Sequence, residues 1–91
     1  MWCSYVDDPT AAPLRVAYAV GRSIGPATTR NRLRRRLRSI VATAAPAIGV
    51  AHGWLLIGAK PGAVERTFSE LRGDVVAVLN QVAPTPSESP T

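Results

Sequence analysis

The chain has one cysteine and one histidine, and no acidic residue lies between Arg15 and Lys60. A single cysteine excludes an internal disulfide and makes a reducing, cytoplasmic setting the expectation. His52 sits beside Gly53 with no cysteine near it, which excludes the ligand spacing of a zinc site. Cys3 is read as a small apolar residue. Asp7 and Asp8, next to Pro9, are read as turn residues rather than metal ligands. No Ser/His/Asp or Cys/His set can be assembled, so no catalytic or metal-binding residue is assigned. The polypeptide itself is not expected to perform bond chemistry. No apolar run approaches the roughly 20 residues of a membrane span. The N-terminus also lacks the basic-then-apolar layout of a signal peptide.

Arginine is what the chain has in concentration. From Arg22 to Arg38 it reads RSIGPATTRNRLRRRLR, placing Arg22, Arg30, Arg32, Arg34, Arg35, Arg36 and Arg38 in one stretch without an acid. Pro26 suits a first helical residue, because its missing N–H needs no partner there. Leu33, Leu37, Ile40, Val41 and Ala44 then recur at helical spacing and define an apolar face. Asn31, Arg32, Arg35 and Arg38 fall opposite, with Arg30 and Arg34 on one flank and Arg36 on the other. The bland alternative is a solvated helix face. However, like charges at i,i+4 repel by a few tenths of a kcal/mol per pair, and no acid here relieves them. With a net charge of +5 on 91 residues, this band is the footprint of a nucleic-acid binder. An anionic membrane surface or an acidic protein is the lesser alternative. The preceding GRSIG segment matches neither a P-loop nor a dinucleotide fingerprint, and its glycines are expected to permit a tight strand-to-helix turn.

In chain order, Trp2 to Val6 is a short strand with Trp2, Ser4 and Val6 on one face and Cys3 and Tyr5 on the other. Asp7 to Pro13 is a turn. Leu14 to Val20 alternates, burying Leu14, Val16, Tyr18 and Val20 and leaving Arg15, Ala17, Ala19 and Gly21 on a bare face. The arginine helix spans Pro26 to Ala45, stopped by Pro46. Trp54 to Ala59 is an apolar strand, covered on both faces or central in its sheet. Lys60-Pro61-Gly62 turns the chain into a second amphipathic helix, Val64 to Val82. The Pro/Ser/Thr-rich tail, Ala83 to Thr91, is expected to be disordered. The fold class is therefore α/β (α+β), a two-layer sandwich with two helices on one face of a small sheet. Tyr18, Trp54 and Phe68 follow core-facing patterns, which leaves Tyr5 as the best candidate for stacking on a base.

The stretch LRVAYAVGRSIGPATTRNRLRRRLR resembles the signature of the bacterial ribonuclease P protein component. In that family a strand leads through an Ile/Val-Gly turn into a helix carrying Arg-Asn-Arg-x-Lys/Arg-Arg-x-x-Arg. WLLIGAKPGA and FSELRGDVVAVL resemble its last strand, turn and final helix, so the resemblance covers roughly Met1 to Val82. It implies a protein subunit of ribonuclease P, whose catalytic RNA uses Mg²⁺ to remove the 5′ leader from precursor tRNA. Arg30, Asn31, Arg32, Arg34, Arg35 and Arg38 would serve the catalytic RNA, and Arg22 and Tyr5 would contact the leader. The resemblance also implies a left-handed β-α-β crossover, against the usual right-handed rule.

Two departures stand out. Family members usually carry a basic segment, a first helix and a short strand before the position of Met1. The expected domain, 1–82, lacks these, which makes the chain a fragment, a mis-called start or a divergent short form. Ser23 stands where the family has a second lysine, and Arg36 where an apolar residue is common. A structural RNA-binding module, such as a small ribosomal protein, is the rival reading. A helix-turn-helix DNA reader ranks last, because an alternating strand occupies the place of its companion helix.

Overall fold

Three five-residue strands, β1 (Trp2–Val6), β2 (Arg15–Ala19) and β3 (Trp54–Gly58), form one mixed sheet in the order β1–β3–β2. The computed structural model describes residues 1–82; the tail expected to be disordered lies outside them. β1 runs antiparallel to β3 with Trp2 opposite Gly58 and Val6 opposite Trp54. β2 runs parallel to β3 with Arg15 opposite Trp54 and Ala19 opposite Gly58. Because side chains alternate along a strand, this register sorts the residues into rows. Tyr5, Leu55 and Val16 share one face with Cys3, Ile57 and Tyr18. The other face carries the rows Val6–Trp54–Arg15, Ser4–Leu56–Ala17 and Trp2–Gly58–Ala19.

Two helices, α1 (Ala27–Ile48) and α2 (Phe68–Val82), cover the first of these faces. α1 buries Leu33, Leu37, Ile40, Val41, Ala44 and Ala45, the apolar stripe expected of it. α2 buries Leu71, Val75 and Leu79. Together with Ile57 and Val50 they make the core, in which Leu37, Ile57, Leu71, Val75 and Leu79 are fully buried. Each such side chain contributes about 1.5–3 kcal/mol by leaving water. No helix among the described residues is long and apolar enough to cross a membrane.

The structure revises several expectations. Pro46 does not stop α1: it lies inside the helix, which runs on to Ile48. A proline so near the end removes one hydrogen bond, that to the Ala42 carbonyl, and Ala42 is exposed, so water can replace it. The stop is Gly49, which takes the left-handed conformation at φ +97° and donates to the Ala45 and Pro46 carbonyls. At the other end Pro26 is the residue just outside the helix, not its first.

The second helix starts at Phe68, not Val64, because residues Pro61–Glu65 form a separate 3₁₀ turn. Its start is set by a reciprocal capping box. The Thr67 N–H donates to Glu70 Oε1 at 2.9 Å, and the Glu70 N–H donates to Thr67 Oγ1 at 3.1 Å.

β3 is central in the sheet, one of the two alternatives expected of it, and among the described residues one of its faces is covered. Leu55 and Ile57 are buried, whereas Trp54 is 52% exposed. Phe68, also expected in the core, is the first residue of α2 and is exposed.

Candidate nucleic-acid interface

The first half of α1 presents the arginines. Leu33 and Leu37 hold one side of the helix in the core, which forces Asn31, Arg32, Arg35 and Arg38 into solvent on the opposite side. Two flanking arginines reach back to the segment that leads into the helix. Arg30 Nε donates to the Gly25 carbonyl at 3.2 Å. Arg34 donates through Nη2 to the Val20 carbonyl at 3.2 Å and through Nη1 to Asn31 Oδ1 at 2.9 Å. These bonds satisfy carbonyls of the strand-to-helix turn and use a minority of each guanidinium's five donors. Arg30, Asn31 and Arg34 are thus tied into one unit, with Arg22 exposed on the short 3₁₀ turn Arg22–Ile24 at its edge. Gly25 closes that turn at φ +145°, as expected of the glycines there.

None of these arginines is paired with a carboxylate among the described residues. The ion pairs present are Arg66 with Asp74 and Glu70 on α2, and His52 with Asp7. Arg30/Arg34, Arg32/Arg36 and Arg34/Arg38 are i,i+4 pairs of like charge, each costing a few tenths of a kcal/mol. Such a row is relieved by an external polyanion.

The uncovered sheet face is a second surface. The small residues Ser4 and Ala17 flank Leu56 in its middle row, and Ser4, Val6, Arg15, Ala17, Trp54 and Leu56 line a shallow depression of about 360 Å³. Trp54 is fixed at its end: the indole N–H donates to Asp8 Oδ2 at 3.0 Å, and the Arg15 guanidinium lies 6.0 Å from the ring centre. Asp8 also accepts from the Thr10 hydroxyl at 2.7 Å and the Thr10 N–H at 3.0 Å. The Thr10 hydroxyl first, and then the Trp54 indole, hold the Asp8 carboxyl below its ordinary pKa.

Tyr5 is placed on the face opposite Trp2, as expected, but that is the helix-covered face. Its hydroxyl donates to the His52 carbonyl at 2.6 Å, and burial is the main cause of its raised pKa. The exposed aromatics of the open face are Trp2 and Trp54. Sequence reasoning placed Arg15 on the bare face, as found, but missed Trp54 beside it as a surface group. The signal was the parity of β3 relative to β1 and β2, which fixes which alternate residues share a face.

No group of three or more His, Cys, Asp or Glu comes together among the described residues. Asp8 is engaged by Thr10 and Trp54, and Glu70 and Asp74 by Arg66, so these side chains do not form a cradle for Mg²⁺.

A two-layer α+β fold with an arginine ridge that has no carboxylate partner among the described residues, and with an open, partly aromatic sheet face, has the charge pattern of the small polyanion-binding class. Comparison narrows the class. A family model described as ribonuclease P matches residues 2–83, and the chain belongs to that family. It is 33% identical over 79 residues to the ribonuclease P protein component of Chloroflexus aggregans, covering 85% of this chain and 58% of that one. It is 41% identical over 76 residues to the component of Paramagnetospirillum magneticum, covering 82% and 56%. The chain thus spans a little over half the length of these curated relatives. Its fold matches the solved Staphylococcus aureus ribonuclease P protein at a TM-score of 0.75, with 16% identity over 89% of this chain and 72% of that one.

Proposed function

We propose that the chain acts as the protein subunit of ribonuclease P in the cytoplasm, binding the catalytic RNA and promoting removal of the 5′ leader from precursor tRNA. The observation that carries this reading is the row of arginines on α1, set in the family pattern and without carboxylate partners among the described residues. Arg30, Asn31, Arg32, Arg34, Arg35 and Arg38 dock the catalytic RNA. Arginine suits this role because its planar fork grips phosphate oxygens in pairs. Hydrolysis belongs to the RNA and to the Mg²⁺ it binds, and the protein supplies positive charge and a surface.

In this reading the leader follows Arg22 and the open sheet face, where Arg15 meets its phosphates and Trp54 offers a ring to a base. Tyr5 supports that face from behind, since its bond to the His52 carbonyl steadies the loop that leads into β3. The direct test is cleavage of a precursor tRNA by a bacterial ribonuclease P RNA at low Mg²⁺, with and without the chain. Stimulated cleavage is the expected result. Binding to that RNA without stimulation leaves the docking role and removes the leader role. Neither binding nor stimulation by the folded chain favours a structural RNA-binding module.

A further inference from the structure

We propose that Thr29, Arg32 and Arg36 form a phosphate pocket seating one backbone phosphodiester of the bound RNA on the flank of α1 that faces the Pro61–Glu65 turn. The inference rests on the RNA-docking reading above and extends it from Arg32 to two residues outside the family pattern, Thr29 and Arg36. Thr29, Arg32 and Arg36 stand at i, i+3 and i+7, so they share one side of the helix. With Leu33 and Val64 they line a small depression of about 100 Å³.

The pocket differs in kind from the exposed ridge. Arg36 is half-buried where Arg35 is exposed, and the floor is apolar, with Leu33 buried and Val64 partly so. An aliphatic stem laid over such a floor keeps its charged end at the rim. Neither arginine pairs with a carboxylate, and neither guanidinium donates to an acceptor among the described residues. Glu65, next to Val64, pairs with neither and does not line the pocket. Arg34, by contrast, spends donors on the Val20 carbonyl and Asn31. Arg32 and Arg36 are therefore two arginines with free donors that line one concave spot together, and Thr29 adds a neutral hydroxyl to the residues lining it.

The consequence is that RNA wraps α1 farther toward α2 than the ridge alone requires. The test is the affinity of the full chain for a bacterial ribonuclease P RNA, titrated between about 50 and 200 mM salt. Arg36→Gln, which keeps the stem, is expected to flatten the log–log salt slope by about 0.7 to 0.9, one phosphate contact. Arg36→Lys is expected to restore the slope without restoring full affinity. Thr29→Val, which removes only the hydroxyl, is expected to weaken binding about two- to tenfold with the slope unchanged. Thermal melts followed by circular dichroism confirm that each variant is folded. An unchanged slope for Arg36→Gln, while Arg32→Ala flattens it, overturns the pocket and leaves the docking reading standing. Equal flattening by Arg72→Ala on α2 also overturns it, because bulk charge then explains the effect. Failure of the unaltered chain to bind the RNA removes both.

Discussion

Asp8 shows how a single turn residue sets the chemistry of the open face. Its carboxylate accepts from Thr10 twice and from the Trp54 indole, and these bonds keep its pKa low in the folded chain. A depressed carboxyl pKa contributes stability that is present above the unfolded value, about 3.9, and is lost as pH falls through the folded value. Trp54 emission, read in a Trp2→Phe background, is therefore expected to stay flat from neutral pH to about 4 and to change only below it. A transition centred above that point would show that Asp8 does not hold the ring. Gly58 has a comparable local role. A Cβ at this position would overlap the Trp2 indole, which lies across from it in the register. Gly58→Ala is expected to cost about 1–3 kcal/mol in chemical denaturation, as overpacking does. In a Trp2→Ala background the cost should largely disappear, and a penalty of the same size there would locate the strain elsewhere.

Two exposed glycines test the helices with opposite sign. Gly49 ends α1 at φ +97° and has no heavy atom near its absent Cβ, so only backbone strain opposes a side chain there. Gly49→Ala is expected to destabilise by about 1–2 kcal/mol. Gly73 lies within α2, again with open space around it, and Gly73→Ala is expected to stabilise by up to about 1 kcal/mol. Urea midpoints of the two variants should move in opposite directions. A loss at Gly73 would mean that α2 is not a regular helix there. The same elements show what the sequence discloses. Periodicity alone located both α1 and β2, because Leu33, Leu37, Ile40 and Val41 repeat every third or fourth residue and Leu14, Val16 and Tyr18 every second. The end of α1 was hidden because Pro46 falls where only one hydrogen bond is at stake, so the left-handed Gly49 decides. The start of α2 was written in Thr67 and Glu70, a capping pair masked by the apolar spacing of Val64 with Phe68. The exposure of Trp54 was not local information at all. It follows from pairing with two strands distant in sequence, whose register only the folded sheet supplies.

At the scale of the molecule, the arginine ridge divides into side chains whose donors are free among the described residues and side chains that also brace the turn before the helix. Arg32 donates to nothing among the described residues, whereas Arg30 holds the Gly25 carbonyl at 3.2 Å. Their truncations should therefore separate in a way that a uniform charged patch does not. Arg32→Ala removes one like-charge neighbour of Arg36 and leaves every internal bond in place. It is expected to reduce the salt slope of RNA binding by about 0.7 to 0.9 while leaving stability unchanged or raised by a few tenths of a kcal/mol. Arg30→Ala is expected to flatten the slope equally and also to destabilise by about 0.5–1.5 kcal/mol, through the lost bond at the strand-to-helix turn. The double variant should lose about 1.4 to 1.8 from the slope, twice the single contact. Salt-dependent binding and urea unfolding on the same three proteins check both halves. Equal stabilities for the two single variants would show that Arg30 does not brace the turn. An unchanged slope in both would place the RNA away from this ridge, and with it the part of the molecule around which the remaining surfaces are arranged.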